Sequence, residues 1–301
     1  MSEGETTTGF GHAKVILLGE HAVVYGQPAL AAGMQAGVRA HASPGQGNVR
    51  APAWQLDVQV GDGSPVSIAI ERLCEHLGVA ARGLDFWLET EVPARAGLGS
   101  SAAMAVAVSR AVAARTGAGE TDMLAAAAAA EAIFHSTPSG IDTAAASRGG
   151  VGRFERATGW QAIPVRQPVE LCVGVSKQVR QTGDLVSAVA RLCERVPVGR
   201  RLIEALGDVA RAGMDALANG DVEALGQQLN MAHGLLSGLG VSTPQLDDLV
   251  RAARGAGALG AKLTGAGGGG AVIALAPDRG DEVLKHWRGM GCYGFLTLVG
   301  T

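Results

Sequence analysis

Apolar and polar positions follow two kinds of pattern along this chain. Short apolar or alternating runs predict strands, and longer segments with apolar residues every three or four positions predict helices. We predict strands at 13–18, 38–41, 54–60, 84–91, 151–154, 160–164, 171–175, 271–276 and 295–299, and one beginning near Ala22. We predict helices at 64–77, 102–114, 185–195, 199–217, 221–236 and 245–256, one capped by Thr121, a short one after Asp142 and one before the last strand. Residues 1–9 are expected to be disordered.

The balance of these elements changes along the chain. Strands dominate the first part, and long helices dominate after about residue 165. This shift predicts an α+β protein with two domains, 1–165 and 166–301.

Composition narrows the classes of function. The chain has 301 residues and a formal net charge of −3, so no basic surplus favours nucleic acid or an anionic membrane as partner. Its four cysteines lack metal-ligand spacing and are interpreted as reduced thiols of a cytosolic protein. The N-terminus lacks the pattern of a signal peptide, and no apolar run predicts a bilayer-spanning helix. We therefore expect a cytoplasmic protein.

Lysine is scarce in this chain. Only four of the 25 basic residues are lysines, which suggests that a remaining lysine serves where a compact ammonium is needed. Lys14, Lys177 and Lys262 fall in segments that look functional on other grounds, whereas Lys285 is attributed to chance.

A glycine turn at 93–103, with the sequence PARAGLGSSAA, opens a long helix-forming run. Unpaired backbone N–H groups at a helix start bind anions, and glycine lets a ligand approach the backbone closely. The hydroxyls of Ser100 and Ser101 suit phosphate or a hard metal ion. The segment is not a Walker A loop, because no Gly-Lys-Ser/Thr follows. The alternative is a simple connection.

Two acidic residues stand out in the helices that follow. Glu131 lies in a helix that is apolar almost all round, so burial predicts a cationic partner, either an arginine or a metal ion. Asp142 follows a proline- and glycine-containing loop at a helix start. It is either the cap of that helix or a general base.

The run of glycines at 265–270 is too long for a simple turn. It predicts backbone lying close to another strand or a ligand, and the alternative is a linker. Lys14 interrupts the first apolar strand, either as an edge charge or for a functional reason.

Three of these segments together resemble the motifs of the GHMP small-molecule kinases. They are 14–26 (KVILLGEHAVVYG), 93–103 and 262–270 (KLTGAGGGG), and they occur in the family's order. Residues 19–26 (GEHAVVYG) and 131–142 (EAIFHSTPSGID) most resemble the branch that phosphorylates mevalonate. The resemblance covers essentially the whole chain. It implies a two-lobed fold, with a strand-rich N-terminal domain like ribosomal protein S5 domain 2 and a helix-rich, ferredoxin-like C-terminal domain.

The resemblance also implies a nucleotide and a metal ion. ATP would be bound by the turn and helix start, namely Arg95, Ala96, Gly97, Leu98, Gly99, Ser100 and Ser101. Mg²⁺ would be bound by Ser101 and Glu131, so that the cation predicted beside Glu131 would be the metal.

The remaining implied roles concern the acceptor substrate. Asp142 would take the proton from the substrate hydroxyl, with Lys14 beside it keeping it ionised. Mevalonate would contact Glu20, His21, Arg180 and Thr182, and the glycine loop with Gly265, Gly267 and Gly268 would support the nucleotide loop.

Several alternatives stay open at this point. A galactokinase is disfavoured, because apolar residues at 22–24 replace the expected sugar-binding pattern. Kinases acting on phosphomevalonate or on the 3-hydroxyl of mevalonate differ in few pocket residues. A catalytically inactive sensor would be expected to lack Asp142, Glu131 or Lys14, and all three are present. A homodimer is left open.

Overall fold

The computed structural model describes residues 5–94, 96–134, 140–177 and 182–300, without the side chains of 182–184. The chain divides into two compact units. The first contains 5–13, 36–94 and 99–148, and the second contains 14–35, 96–98 and 149–300, apart from the residues outside the description. The units interleave along the chain, and the domain boundary near residue 165 stays a prediction.

Two long strands contribute residues to both units. They are β1 (Thr7–Leu18) and β2 (Ala29–Pro44). The first unit adds β3 (Asn48–Ala51), β4 (Leu56–Gln59), α1 (Pro65–His76), β5 (Leu84–Thr90), α2 (Ser100–Thr116), α3 (Glu120–Phe134) and α4 (Ile141–Arg148).

The sheet of the first unit has the order β4-β3-β5-β2. Strands β2 and β5 pair antiparallel from Val38 opposite Thr90 to Pro44 opposite Leu84. Apolar side chains of β2, β3, β5, α1, α2 and α3 form one core. Helices α2 and α3 are rich in alanine, which lets helix backbones approach closely, and 11 of the 17 residues of α2 are buried.

The second unit contains the later elements. They are β6 (Val151–Glu155), β7 (Gly159–Ala162), β8 (Val169–Val175), α5 (Thr182–Arg195), α6 (Pro197–Asn219), α7 (Val222–Gly238), α8 (Pro244–Gly255), β9 (Gly260–Thr264), β10 (Ala271–Leu275), α9 (Gly280–Gly289) and β11 (Tyr293–Val299). The first residues of β2 pair with β6, which pairs with β7. A separate antiparallel sheet has the order β11-β8-β10-β9.

Local signals explain several element ends. Ser64 caps α1 by accepting a hydrogen bond from the Ser67 N–H at 3.3 Å, and Pro65 occupies the first turn. Gly117 ends α2 in the left-handed conformation, with φ of +75°.

Four expectations about local structure are wrong. The predicted disorder at 1–9 fails for residues 7–9, which belong to β1, because the buried Thr7 hydroxyl donates to the Ala111 carbonyl at 2.7 Å. The strand expected near Ala22 is a 3₁₀ helix, Ala22–Tyr25, between Gly19 and Gly26, which both have positive φ. Pro52–Trp54 is also a 3₁₀ helix, so β4 is shorter than predicted.

The expected Thr121 cap is the fourth of these errors. Helix α3 begins at Glu120, and the Met123 N–H donates to the Gly119 carbonyl at 3.0 Å, so Thr121 lies inside the helix. Acidic residues in this first turn favour the earlier start through the helix dipole. Within the described residues, no helix combines the length and hydropathy needed to cross a bilayer.

Candidate active site

The glycine turn ahead of α2 has the backbone that the sequence pattern requires. Gly97 and Gly99 have φ of +78° and +69°, a region that side chains disfavour. Gly99 takes the cap position of α2 without any side-chain cap, so the first N–H groups of the helix are available to an anion. Ala96 and Leu98 are buried. Arg95 lies outside the described residues.

The second glycine run lies close to this turn within the second unit. A Cβ on Gly270 would stand 3.3 Å from the Ala96 carbonyl oxygen, and one on Gly265 would stand 3.6 Å from that of Gly97. Gly267 tolerates no side chain, because its Cβ would lie 2.2 Å from the Val241 carbonyl oxygen. The Gly268 N–H donates to the same oxygen at 2.8 Å. The run is therefore an ordered loop rather than a linker.

Ser101 and Glu131 meet inside the first unit. Ser101 lies in the first turn of α2, and Glu131 lies near the end of α3, where its side chain is 2% exposed. The Ser101 hydroxyl donates a hydrogen bond to Glu131 Oε1 at 3.2 Å. Two hard oxygens at this separation lie close to the distance of about 3 Å between adjacent ligands of an octahedral Mg²⁺ with bonds of about 2.1 Å.

This donor set fits Mg²⁺ better than a metal that needs a full protein cage. Among the described residues, no group of three or more His, Cys, Asp or Glu side chains could hold a metal ion. Mg²⁺ keeps several waters and is usually bound by one or two protein ligands together with substrate phosphates. A hydroxyl and a carboxylate beside an open helix start are such ligands.

Asp142 stands in the first turn of α4, half-buried, just after Gly140 with φ of +86°. The helix begins at Ile141, so Asp142 is a helical residue and not the cap that the sequence allowed. Helix α4 packs against α2 and α3, and Arg110 of α2 donates to the Ser147 carbonyl at 2.6 Å. The carboxylate therefore lies on a firmly held helix.

The second unit holds the residues of the first motif. Lys14 is 4% exposed in β1, and its backbone N–H donates to the Leu98 carbonyl at 2.9 Å. His21 is buried and has a positive φ of 60°, unusual outside glycine. Its Nε2 lies 2.9 Å from the Ala266 carbonyl oxygen, which assigns the proton to Nε2, and burial lowers the pKa of His21. The ring is therefore neutral.

Glu20 forms an ion pair that sequence reasoning missed. Its Oε1 contacts the ammonium of Lys262 in β9, and the two side chains are 1% and 0% exposed. The partners are 242 residues apart, so no local pattern could join them. The scarcity of lysine and the family segment 262–270 both singled out Lys262, but neither identified its partner.

The predicted site residues are thus distributed between the two units. Ser101, Glu131 and Asp142 belong to the first, while Lys14, Glu20, His21 and the glycine loop belong to the second. Whether Lys14 adjoins Asp142 stays a prediction. Arg180 lies outside the described residues, as does the side chain of Thr182, whose backbone begins α5.

Comparison with known proteins gives the class. The family model described as "GHMP kinases N terminal domain" matches residues 64–150, and the one described as "GHMP kinases C terminal" matches 214–291. The chain belongs to the GHMP kinases and is an ATP-dependent kinase. The expected mixed α+β fold of this family is confirmed.

Individual relatives show which members of the GHMP kinase family this chain resembles. A mevalonate kinase of Pyrococcus horikoshii is 35% identical, over 95% of this chain and 93% of its own length. The solved structure of L. major mevalonate kinase in complex with R-mevalonate has a TM-score of 0.88 at 30% identity, covering 99% of this chain and 97% of that one. A Streptococcus pneumoniae phosphomevalonate kinase has a TM-score of 0.74 at 18% identity over 97% and 99%, which shows a shared fold alone.

Proposed function

We propose that this kinase transfers the γ-phosphoryl group of ATP to the primary C5 hydroxyl of mevalonate, giving 5-phosphomevalonate and ADP. The choice of substrate is supported by the similarity to mevalonate kinases over nearly the whole chain. The observation that carries the chemistry is the Ser101 hydroxyl 3.2 Å from the buried Glu131, at an open helix start.

The nucleotide end of the site follows from these residues. The segment from Arg95 to Leu98, with Gly99, Ser100 and Ser101, binds the ATP phosphates through backbone N–H groups and hydroxyls. Ser101 and Glu131 bind Mg²⁺, which, when present, neutralises the phosphate charge that develops during transfer. Gly265, Gly267 and Gly268 hold the loop next to the nucleotide turn.

The acceptor end carries out the proton transfer. The substrate oxygen forms a bond to the γ-phosphorus as the bond from phosphorus to the bridging oxygen of ADP breaks, and the hydroxyl proton passes to Asp142. Lys14 keeps Asp142 ionised and steadies the charge on the attacking oxygen. Mevalonate is bound by Glu20, His21, Thr182 and Arg180, the last as partner for its carboxylate.

Three further statements belong to the proposal. The enzyme works in the cytoplasm, the boundary between its N-terminal and C-terminal domains lies near residue 165, and a homodimer is its candidate oligomeric state.

Phosphorylation of phosphomevalonate or of the 3-hydroxyl of mevalonate is the second candidate activity. It is favoured by the small number of pocket residues that separate these kinases.

The test is an assay that couples ADP formation to NADH oxidation, run with mevalonate, phosphomevalonate, galactose and homoserine. We expect turnover with mevalonate and at most a small fraction of it with the other three. Phosphorus NMR of the product should show a phosphomonoester on a primary carbon. Preference for phosphomevalonate, or a product carrying phosphate at C3, would contradict the proposal.

A further inference from the structure

The side chains of Glu20 and Lys262, which form an ion pair, are 1% and 0% exposed. Besides contacting Glu20, the Lys262 ammonium donates to the Leu263 carbonyl at 2.6 Å and lies 3.5 Å from that of Ile16. Burying both charges costs desolvation energy that their attraction seldom repays, so such a pair is weak evidence for a stabilising role. A role in binding therefore explains the ion pair better than a contribution to stability does.

The two carboxylate oxygens of Glu20 differ in their contacts with the described residues. Its Oε1 contacts Lys262, whereas its Oε2 is buried and accepts no hydrogen bond from any described residue. A buried carboxylate oxygen without a hydrogen-bond donor is costly, so we expect a donor that is not among the described residues. A hydroxyl group of a bound ligand supplies such a donor without adding charge.

Lys262, Thr264 and Ala266 contact the end of β1 and the turn after it, which contains Glu20. The Thr264 hydroxyl accepts from the Ile16 N–H at 3.0 Å and lies 2.9 Å from the Ile16 carbonyl. The Ala266 carbonyl contacts His21 Nε2 at 2.9 Å. Side chains two apart along a strand face the same way, so Lys262 and Thr264 of β9 both face β1, and Ala266 adds a backbone contact after the strand ends.

The pKa shifts of Glu20 and Lys262 reflect their contact with each other. Burial raises the pKa of Glu20, and the charge and hydrogen bond of Lys262 are the largest effects that oppose the rise, followed by a hydrogen bond with the backbone of Glu20 and the charge of Lys14. Burial lowers the pKa of Lys262, and Glu20 opposes that change. Each partner therefore favours the ionised form of the other against the effect of burial, and loss of the lysine would favour a protonated, reoriented carboxyl group.

We infer that Lys262 is a positioning residue for the acceptor substrate: it fixes the Glu20 carboxylate so that Oε2 accepts a hydrogen bond from a substrate hydroxyl. The inference rests on the proposed function, in which Glu20 belongs to the mevalonate site. It gives the segment 262–270 a second role beside support of the nucleotide loop, because Lys262 in β9 orders the acceptor site.

The test is a double-mutant cycle of Lys262→Met, Glu20→Gln and the combined variant, with KM for mevalonate, KM for ATP and kcat measured for each. A hydrogen bond to a charged group corresponds to about 10- to 100-fold in affinity. We expect Lys262→Met to raise KM for mevalonate by about this factor and KM for ATP less than about twofold. In the Glu20→Gln background, the same substitution should change KM for mevalonate less than about twofold.

The control is Lys285→Met, which removes an exposed lysine 3.6 Å from Glu282. It should leave every constant unchanged. Should Lys262→Met fail to fold, the combined variant, which leaves no unpaired buried charge, is compared directly with Glu20→Gln. A large rise in KM between those two, equal losses in both backgrounds, or an unchanged KM in the single variant would each overturn the inference.

Failure of the proposed function gives a different result. If the wild type phosphorylates another acceptor and not mevalonate, the proposed substrate is wrong, and the cycle with that acceptor decides the role of Lys262. If the folded wild type phosphorylates none of the four acceptors, both the proposed function and the inference are overturned.

Discussion

Two buried glutamates in this kinase have opposite kinds of neighbour. In the first unit, Glu131 accepts a hydrogen bond from the Ser101 hydroxyl, which adds no positive charge. In the second unit, Glu20 is paired with the ammonium of Lys262. The exposed fractions are almost equal, at 2% and 1%, so burial does not distinguish the two sites.

The two contacts differ in chemistry. A hydroxyl beside a carboxylate forms a pair of oxygen ligands and leaves room for a metal cation. A lysine supplies the cation permanently and leaves a carboxylate oxygen that suits a neutral donor. A buried acid is understood from its partners: in the proposed function Glu131 would hold the Mg²⁺ that accompanies the phosphates, whereas Glu20 would accept a hydrogen bond from a substrate hydroxyl.

The largest expected effect is at Asp142, the acid that the proposal assigns to proton transfer. Asp142→Asn should lower kcat by about 10²–10⁴-fold, because the amide cannot accept the hydroxyl proton. ATP affinity, measured by calorimetry, should stay close to the wild-type value. A variant with full turnover would remove Asp142 from the reaction and leave the two glutamates as the main acidic groups of the site.

The second prediction concerns His233, which the second unit keeps buried and neutral. Burial, with a smaller contribution from the charge of Arg254, lowers the pKa of His233 to about 4, against the opposing effect of Asp247. His233 Nε2 lies 3.2 Å from Asp247 Oδ1, and the Leu263 N–H donates to its Nδ1 at 3.4 Å.

Because the pKa of His233 is lower in the folded state, its contribution to stability is present above about pH 6.5 and is lost as the pH falls towards 4. The loss of stability caused by His233→Gln should therefore be greatest near pH 7 and shrink by about 2 kcal/mol at pH 4. Urea unfolding of both proteins at several pH values measures this. A difference independent of pH would show that His233 titrates normally when folded.

The third prediction compares the glutamates directly. Glu131→Gln should raise the Mg²⁺ concentration needed for half-maximal activity by about 10- to 100-fold, because a charged ligand is lost. Glu20→Gln should leave the Mg²⁺ requirement unchanged and raise KM for mevalonate. Titrations of Mg²⁺ at saturating ATP and mevalonate distinguish the two outcomes. Equal shifts in both variants would break the comparison.

The smallest expected effect is at Ser101. Ser101→Ala removes one neutral ligand and one hydrogen bond, so we expect the Mg²⁺ requirement to rise about two- to tenfold, less than for Glu131→Gln. Ser101→Thr, which keeps the hydroxyl, is the matched control and should lie nearer the wild type. If alanine at this position left the Mg²⁺ requirement unchanged, the hydroxyl would serve only to orient Glu131.

Much of the local structure could be predicted from the sequence. The Ser64 cap and the glycine at position 117 mark helix ends by rules that involve only neighbouring residues. The errors arose where the local structure depends on residues that are distant in the sequence or on special backbone conformations. Thr7 belongs to a strand because its hydroxyl reaches Ala111, and residues 22–25 form a 3₁₀ helix between two turns that only glycine adopts readily.

The candidate site could likewise be predicted only in part from the sequence. Glu131 could be recognised as a buried acid in need of a partner, and the glycine turns could be recognised from composition and spacing. That Ser101 contacts Glu131, and that Lys262 contacts Glu20, could not be predicted from the residues alone. Thirty residues separate the first pair and 242 the second, and many other pairings satisfy the same local patterns.

Most element types, the glycine turns and the isolated charges in apolar segments could be recognised in the sequence alone. These depend on steric and solvation properties that each residue carries with it. Only the tertiary structure decided which charge meets which partner, because packing selects one arrangement among many of similar local energy. The lysine pairing of Glu20 and the hydroxyl beside Glu131 are the clearest products of that selection.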